Sequence, residues 1–403
     1  MEQRMRWDDV EVLIVGPGLM GSNIAQAYAQ NGINVGLVGR SEDSLERSRG
    51  LIGRELGDAV AKGIFTRPQA EEIFRRVLHG LALEDGSRGK SLQLVIEAVS
   101  EDLPLKKELL ARLDELCPPA VVLATSTSCL DAEVLAVALR RPERLVWMHF
   151  FFPAHKNKAG ELAPLHHTRE ENLACATRLF KAARKDPVCL LRYRKGGAAN
   201  VIFVGLLLEA ARLMEEGFSF AGVEQASRQA FSLPVGFASL LGLVGPKLAT
   251  SCLASFSDAS RPDHPFHRVY DNFFSPPKSG PLQAGIATRF SDLSPVQEKS
   301  ADAMALDYLK RRFLAVAFMT ATEVVEAGMV LPPDVDRLCR TAFGWPQGPF
   351  GLMNRIGVGE SLRMVTEKME LSHRREINFP VPRLLIEKAQ RNEPWPGVEG
   401  LPS

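Results

Sequence analysis

The stretch Glu11-Val-Leu-Ile-Val-Gly16-Pro-Gly18-Leu-Met-Gly21-Ser-Asn-Ile-Ala25 carries three glycines between a β-rich run and a run of helix formers. Gly16 permits a tight turn after a strand, Gly18 lets the backbone approach a pyrophosphate, and Gly21 allows close packing of the following helix. Because the N-terminus of that helix faces the phosphates, the pattern predicts a dinucleotide-binding unit. The predicted cofactor-binding residues of this loop are Gly16, Gly18, Leu19, Met20 and Gly21.

The end of the second predicted strand bears on which dinucleotide is bound. An acid about 20 residues after the glycines commonly accepts hydrogen bonds from the adenosine ribose, but the sequence there is Val38-Gly39-Arg40-Ser41. An acid repels a 2′-phosphate, whereas the guanidinium of Arg40 beside the hydroxyl of Ser41 can bind one. We therefore expect a nicotinamide cofactor, with NADP slightly favoured over NAD. The alternative is that Arg40 is a solvated loop cation.

The chain changes character after about Leu191. Before it, short β-rich runs alternate with longer helical patterns, which is typical of a parallel sheet built from βαβ units. After it, helix formers with apolar residues three and four apart dominate. The predicted fold class is α/β: a Rossmann-type, mostly parallel sheet domain followed by two related all-α domains.

The helical half contains an internal repeat. Ala230-Phe-Ser-Leu-Pro-Val-Gly236 matches Ala342-Phe-Gly-Trp-Pro-Gln-Gly348, 112 positions later, at its alanine, phenylalanine, proline and last glycine. This match favours a duplicated domain over two chance Pro-Gly turns. The predicted domains are the dinucleotide-binding domain at 1–191, a first helical domain with its linker at 192–295, and a second helical domain, a duplicate of the first, at 296–403.

The composition limits the classes of partner that we expect the protein to bind. The 403 residues carry 49 Lys and Arg against 48 Asp and Glu, so no global field holds the protein on nucleic acid or anionic lipid. The longest apolar run, Val201–Leu208, is far short of the roughly 20 residues that span a bilayer. The six cysteines include no C-x-x-C pair, and no metal-ligand spacing occurs. We expect a cytoplasmic protein that binds a small-molecule substrate but no nucleic acid, membrane or metal.

A histidine ends one predicted strand. Leu145-Val-Trp-Met-His149-Phe-Phe-Phe-Pro153 places it where the carboxyl ends of parallel strands face a ligand crevice. A lone histidine there is more often structural. Taken with the glycine loop, with Val95-Ile-Glu-Ala-Val-Ser-Glu101-Asp-Leu-Pro-Leu-Lys106-Lys and with Ala124-Thr-Ser-Thr-Ser128-Cys-Leu, the segment resembles the (S)-3-hydroxyacyl-CoA dehydrogenase family. The tandem helical domains are similar to the C-terminal end of the bacterial fatty-acid-oxidation multifunctional subunit, without its hydratase module.

The resemblance implies four residues at the reacting centre. In the family a histidine is the general base and a glutamate twelve residues later orients it; His149 and Glu161 have this separation. A carboxylate on one imidazole nitrogen makes the other nitrogen a better proton acceptor. Ser128 and Asn200 match the residues that hydrogen-bond the reacting oxygen, and these two are also predicted to bind substrate.

Further positions follow from the same resemblance. Glu101 and Lys106 match residues that lie against the cofactor ribose and nicotinamide side, and Ser126 is predicted to bind the cofactor as well. Lys62 sits where relatives have basic residues near the CoA, although helical lysines are usually just exposed. Ser126 and Phe152 stand where the family has asparagines that approach the nicotinamide.

The resemblance implies an NAD(P)-dependent oxidoreductase of fatty-acid metabolism that interconverts (S)-3-hydroxyacyl-CoA and 3-oxoacyl-CoA. One alternative is a dehydrogenase of the same superfamily that acts on a free hydroxy acid or a carrier-protein thioester. Another is a non-catalytic cofactor-binding scaffold, for which the two lost asparagines argue. In relatives with one helical domain, two subunits pair through those domains. The second copy here predicts a monomer with an internal pseudo-dimer, or a homodimer.

Overall fold

The structure is a computed structural model that describes residues 5–244, 302–374 and 380–398. The chain divides into two compact units between Tyr193 and Arg194, two residues after the predicted end of the first domain. The predicted linker at the end of 192–295 lies outside the described residues.

The first unit is built on one eight-stranded sheet in the order β3-β2-β1-β4-β5-β6-β7-β8. Its strands are β1 (Val12–Val15), β2 (Val35–Val38), β3 (Val77–Gly80), β4 (Leu94–Glu97), β5 (Val122–Thr125), β6 (Leu145–Phe150), β7 (Ala159–Pro164) and β8 (Asp186–Cys189). Neighbouring strands run parallel except β6 and β7, which pair antiparallel. The predicted Rossmann-type, mostly parallel sheet is confirmed.

Seven helices accompany the sheet in the described part of this unit. They are α1 (Leu19–Ala29), α2 (Glu42–Ala61), α3 (Arg67–Arg75), α4 (Leu83–Ser87), α5 (Leu103–Leu116), α6 (Ala132–Ala136) and α7 (Glu170–Ala182). Side-chain oxygens cap several N-termini: Ser41 begins α2, Thr66 begins α3 and Asp102 begins α5, each accepting from a backbone N–H three residues on. Strands β1, β2, β4 and β5 are buried along their whole length, as a sheet covered on both faces requires.

The second unit is helical throughout its described residues, as predicted. Its helices are α8 (Gly197–Glu215), α9 (Phe220–Phe231), α10 (Phe237–Val244), α11 (Ala303–Glu326), α12 (Pro332–Phe343), α13 (Pro349–Ile356), α14 (Val358–His373) and α15 (Arg383–Arg391). By length and composition, Gly197–Met214 of α8 is apolar enough to cross a membrane, with a mean hydropathy of 1.5. However, 83% of this window is buried within the protein, as expected for a core helix.

A buried ion cluster joins three helices of this unit. Glu209 on α8 is fully buried, and its two carboxylate oxygens accept from Lys368 Nζ on α14 at 2.9 and 2.7 Å. Arg312 Nε on α11 donates to the same carboxylate at 2.7 Å, as does Arg212 at 2.7 Å. Arg312 also donates to both oxygens of Glu216 at 3.0 and 3.1 Å. Three cations thus surround one buried carboxylate.

The two repeat segments adopt matching local structures. Ser232 and Gly344, 112 residues apart, each end a helix in the left-handed conformation, with φ of 53° and 70°. A pair with the same separation, Glu224 and Asp336, caps the next helix in each copy. Glu224 accepts from two backbone N–H groups at the start of α10 at 2.7 and 3.0 Å, and Asp336 from two at the start of α13, both at 2.8 Å. The duplicated-domain boundaries stay a prediction.

Candidate active site

The glycine loop has the geometry that the sequence predicts. Gly16 has a φ of +115°, and a Cβ there would lie 2.6 Å from the carbonyl oxygen of Ala98. A Cβ at Gly21 would lie 1.8 Å from the carbonyl oxygen of Gly16, so only glycine lets α1 start this close to the turn. Among the described residues nothing lies within 4 Å of a Cβ built at Gly18, which leaves the backbone open to a ligand. The loop therefore forms an open cradle for a ligand, and side chains at the three glycine positions would collide with the backbone or occupy the cradle.

Leu19 and Met20, the two residues after Gly18, differ in exposure. Leu19, the first residue of α1, is 51% exposed, whereas Met20 is half-buried and packs against the core of the first unit. Both therefore lie where the helix N-terminus meets the cradle.

At the end of β2, Gly39 is tightly enclosed. A Cβ on Gly39 would lie 2.5 Å from Pro17 Cγ and 2.8 Å from Ser44 Oγ. Arg40 follows as an exposed residue. The hydroxyl of Ser41 accepts from Ser44 N at 3.3 Å and so caps α2. The acid that commonly binds the ribose has no room at position 39 while Pro17 is in the loop.

His149 and Glu161 lie opposite each other in the pairing of β6 and β7. His149 Nδ1 is 3.2 Å from Glu161 Oε2, and both residues are buried. On the other side of the ring, His149 Nε2 is 3.0 Å from Ser128 Oγ. Because the carboxylate accepts the Nδ1 proton, Nε2 carries the lone pair and the Ser128 hydroxyl donates to it. The antiparallel hairpin explains the twelve-residue separation.

Aromatic rings hold the imidazole in place. Trp147, two residues earlier on the same strand face, stacks on His149 with ring centroids 5.3 Å apart, and Phe151 packs edge-on at 4.7 Å. Trp147 Nε1 also donates to the carbonyl of Thr127 at 2.8 Å. The sequence analysis did not single out Trp147, although its i, i+2 relation to His149 places both rings on one face.

The serine loop after β5 is held by Glu101. Glu101 Oε1 accepts from Ser128 N at 2.6 Å, and Oε2 accepts from Thr127 Oγ1 at 2.7 Å. The half-buried Ser126 donates through Oγ to the carbonyl of Glu97 at 2.9 Å. Ser128, His149, Glu161, Glu101 and Ser126 therefore belong to one connected group.

Glu97, a fully buried carboxylate at the end of β4, was missed by the sequence analysis. Its Oε1 accepts from Lys106 Nζ at 2.6 Å and from Val99 N at 2.8 Å, and its Oε2 accepts from Thr125 Oγ1 at 2.8 Å. Lys106 is only 1% exposed and lies 3.6 Å from Glu101 Oε2. An acid that ends a wholly apolar strand was the available signal, because a buried charge requires a partner.

The remaining predicted residues lie elsewhere. Lys62 is exposed at the C-terminus of α2, and Asn200 is half-buried in the first turn of α8, in the second unit. The first unit thus brings together His149, Glu161 and Ser128, whereas Asn200 belongs to the second unit. In residues 5–244, 302–374 and 380–398, no group of three or more His, Cys, Asp or Glu side chains is arranged to hold a metal.

A second buried histidine, His155, fastens the loop between β6 and β7. Its Nδ1 is 2.7 Å from Asn23 Oδ1 on α1, and its Nε2 is 3.0 Å from Glu55 Oε2 on α2. Gln30 Nε2, from the residue that follows α1, donates to the carbonyl of His155 at 2.7 Å. Burial lowers the pKa of His155, and the Glu55 carboxylate opposes that shift. This loop is therefore tied to the two helices that flank the glycine cradle.

Comparisons with known proteins agree with this geometry. The family model "3-hydroxyacyl-CoA dehydrogenase, NAD binding domain" matches residues 11–193, and the model of the C-terminal domain of the same family matches 196–282 and 308–393. A 3-hydroxybutyryl-CoA dehydrogenase of Clostridioides difficile is 29% identical over 64% of this chain and 92% of its own length. The mitochondrial hydroxyacyl-coenzyme A dehydrogenase of Sus scrofa is 32% identical over 58% of this chain and 76% of its own length.

The fold also has a close counterpart among solved structures. The crystal structure of 3-hydroxybutyryl-CoA dehydrogenase from Escherichia coli K12 superposes with a TM-score of 0.76 at 22% sequence identity. The match covers 95% of this chain and 99% of that one. At this identity the likeness shows a shared fold. The NAD-binding domain indicates a nicotinamide cofactor.

Proposed function

Because the chain belongs to the 3-hydroxyacyl-CoA dehydrogenase family, we propose that this oxidoreductase interconverts an (S)-3-hydroxyacyl-CoA and its 3-oxoacyl-CoA, with His149 as general base. The observation that carries the proposal is the series of contacts from Ser128 Oγ through the His149 ring to Glu161 Oε2, at 3.0 and 3.2 Å. General base catalysis requires a basic atom at hydrogen-bond distance from the proton that it removes. His149 Nε2 meets this requirement once substrate is bound, because the Ser128 hydroxyl then turns to the reacting oxygen and leaves the Nε2 lone pair to the substrate 3-hydroxyl.

In the direction of oxidation, His149 Nε2 takes the proton of the substrate 3-hydroxyl. Glu161 stabilises the resulting imidazolium through the Nδ1 proton and keeps the ring in one orientation. The Ser128 hydroxyl donates to the reacting oxygen and steadies the charge that develops on it. In the reverse direction, His149 returns the proton to that oxygen.

The glycine cradle fits a bound dinucleotide. A Cβ at Gly16 or Gly21 would collide with backbone, and the N-terminus of α1 presents free N–H groups to a pyrophosphate. The nicotinamide supplies the acceptor for the hydride that leaves C3 of the substrate. We propose that Leu19, Met20 and Ser126 lie along the same ligand.

The preferred cofactor in this proposal is NADP. Gly39 follows the end of β2, and a Cβ at Gly39 would lie 2.5 Å from Pro17 Cγ. An acid at position 39 would therefore require the glycine loop to move. The exposed Arg40 follows directly and carries the positive charge that a 2′-phosphate prefers. The hydroxyl of Ser41 is used as the cap of α2, so Arg40 bears most of the interaction.

For the substrate, the proposal assigns Asn200 to the reacting oxygen and Lys62 to the CoA phosphates. Asn200 is half-buried in the first turn of α8. Lys62 is exposed at the end of α2, as a phosphate contact requires. Both assignments rest on the family pattern together with these positions.

The same reasoning leads to a proposed monomer. The family's C-terminal domain matches this chain over two ranges, and matching acid caps recur in both copies at Glu224 and Asp336. The second copy therefore takes the place of a partner subunit. Light scattering on the purified protein tests this, because a tight dimer at low concentration is incompatible with an internal pseudo-dimer.

The first experiment is a fluorescence titration of the purified protein with NADPH and NADH, followed by acetoacetyl-CoA while cofactor absorbance is recorded. Tighter NADPH binding with oxidation on addition of the thioester supports both parts of the proposal. Turnover with a preference for NADH keeps the reaction and removes the role of Arg40. Binding of either cofactor without turnover of acetoacetyl-CoA or longer 3-oxoacyl-CoA thioesters contradicts the proposed reaction.

A further inference from the structure

We propose that Glu101 is a positioning residue, fixed by Lys106, which sets the Ser128 hydroxyl against His149. This inference rests on the proposed dehydrogenase reaction and gives Glu101 a role different from the cofactor contact that the family pattern implies. The contacts that support it hold the serine loop, residues 126–129, and all of them lie within the first unit.

The carboxylate of Glu101 bridges two neighbouring groups of the loop. One oxygen accepts the backbone N–H of Ser128 at 2.6 Å, and the other accepts the Thr127 hydroxyl at 2.7 Å. Cys129 N lies 3.4 Å from the first oxygen. Hydrogen bonds to a carboxylate are shorter and stronger than those between neutral groups. Glu101 therefore fixes the backbone of the residue whose side chain contacts the base.

Other contacts hold the neighbouring residues of the loop. Ser126 is held through its N and Oγ to the carbonyl of Glu97, at 3.1 and 2.9 Å. The carbonyl of Thr127 accepts from Trp147 Nε1 at 2.8 Å. Glu101 acts on Ser128 directly, through the backbone N–H at 2.6 Å, and Ser128 Oγ lies 3.0 Å from His149 Nε2. A shift of about 1 Å at this point is enough to cost up to about 100-fold in rate.

Lys106 provides the charge that keeps Glu101 in place. Its ammonium lies 2.6 Å from Glu97 Oε1 and 3.6 Å from Glu101 Oε2, and so stands between two carboxylates. Without it, like charges this close would repel, and one carboxyl would bind a proton or move away. Lys106 is 1% exposed and also donates to the carbonyl of Val99 at 3.2 Å, so its ammonium contacts protein groups rather than solvent.

The two roles for Glu101 predict different kinetics. A residue that binds cofactor changes mainly the cofactor dissociation constant when it is replaced. A residue that positions Ser128 changes mainly kcat, since the hydroxyl acts on the reacting oxygen. Separating kcat from cofactor affinity therefore distinguishes them.

The test compares Glu101→Ala with Glu101→Gln, and uses Asp102→Ala as the matched control. Asp102 is the adjacent carboxylate, and it caps α5 by accepting from Leu105 N at 2.9 Å. Glu101→Ala should lower kcat with acetoacetyl-CoA by about 10- to 100-fold while the dissociation constant of the reduced cofactor is nearly unchanged. Glu101→Gln should recover most of the rate, because its carbonyl oxygen still accepts from Ser128 N and its amide can donate to the Thr127 hydroxyl.

Two outcomes overturn the inference. One is a weakened cofactor affinity with kcat intact in Glu101→Ala. The other is an equal loss of kcat in Asp102→Ala, which would mean a general effect on α5.

A readout that does not depend on turnover separates this inference from the proposed reaction. Hydrogen–deuterium exchange of the peptide that contains Ser128 should be at least about tenfold faster in Glu101→Ala, because its amide loses a charged acceptor. The β4 peptide should exchange as in the wild type. If the wild-type protein fails to reduce 3-oxoacyl-CoA thioesters, the proposed reaction is wrong, yet this exchange still decides how Ser128 is held. Unchanged exchange at Ser128 refutes the positioning role.

Discussion

His149 and Glu161 are direct partners in the antiparallel pairing of β6 and β7, with Nδ1 3.2 Å from Oε2. In a sheet that is otherwise parallel, this one reversal places a buried acid beside the proposed base. The register, rather than flexible side chains, determines the contact. A change at either residue should therefore affect the chemistry without disturbing neighbouring helices.

Replacing Glu161 by glutamine should lower kcat by about 100-fold. The amide keeps the volume of the carboxylate but stabilises the imidazolium far less, and it can turn its NH₂ toward Nδ1 and favour the wrong tautomer. Steady-state kinetics with acetoacetyl-CoA measure the effect, and cofactor titration serves as the control. A wild-type kcat in this variant would show that Glu161 is only structural.

Replacing His149 by alanine should lower turnover by about 10²–10⁴-fold, since the proton acceptor is lost. Cofactor affinity should stay nearly intact, because the glycine cradle is built from other elements. Rapid-mixing measurement of cofactor oxidation gives the rate. Turnover equal to that of the wild type would remove His149 from the mechanism.

Replacing Arg40 by alanine should weaken NADPH binding by about 10- to 100-fold, the value of a charge-assisted contact to phosphate. NADH binding should change little, because NADH lacks the 2′-phosphate. Arg54→Ala, at an exposed position on α2, is the matched control and should leave both affinities unchanged. Equal losses for the two cofactors in Arg40→Ala would contradict the NADP preference.

Replacing Glu209 by glutamine should lower the free energy of unfolding by about 3–5 kcal/mol, because three cations lose their common buried partner. Chemical denaturation followed by circular dichroism measures the change. Glu216→Gln, at the half-buried edge of the same ion cluster, should cost clearly less. If both variants cost the same, the central place of Glu209 in the cluster is not what stabilises the unit.

Acid should destabilise the second unit through the same residue. Burial alone would raise the pKa of Glu209, but Lys368, Arg312 and Arg212 lower it to about 2 from 4.5. A carboxyl whose pKa is lowered on folding contributes stability above its unfolded pKa, and that contribution is lost as the pH falls. The loss should therefore occur between pH 4.5 and about 2. Thermal unfolding across this range should show a smaller acid effect in Glu209→Gln than in the wild type.

Much of the first unit follows from its sequence, because backbone geometry and residue type are tightly linked there. The collision distances at Gly16 and Gly21 explain why glycine identity alone predicts the cradle. The pairing of His149 with Glu161 came from the family resemblance, and the register of one hairpin explains their twelve-residue separation.

Other contacts depend on elements that are distant in the chain. The contacts of Trp147 with Thr127 and of Glu97 with Thr125 form because β4, β5 and β6 lie side by side in the sheet. The burial of Lys106 has the same origin, because its position on α5 does not reveal that its ammonium meets the end of β4. The matching caps at Glu224 and Asp336 escaped the repeat comparison, since the two acids share chemistry but not identity.

The His155 contacts fix the β6–β7 loop, next to the proposed base, relative to helices α1 and α2. The loop that joins the base's strand to the acid's strand is fastened to α1 through Asn23 and through Gln30, which follows this helix, and to α2 through Glu55. Since α1 begins at the glycine cradle, the hairpin that carries the proposed base and the proposed cofactor site are attached to the same helix. Because these contacts link the β6–β7 hairpin to α1, we expect the distance between His149 and the glycine cradle to vary less than it would without them.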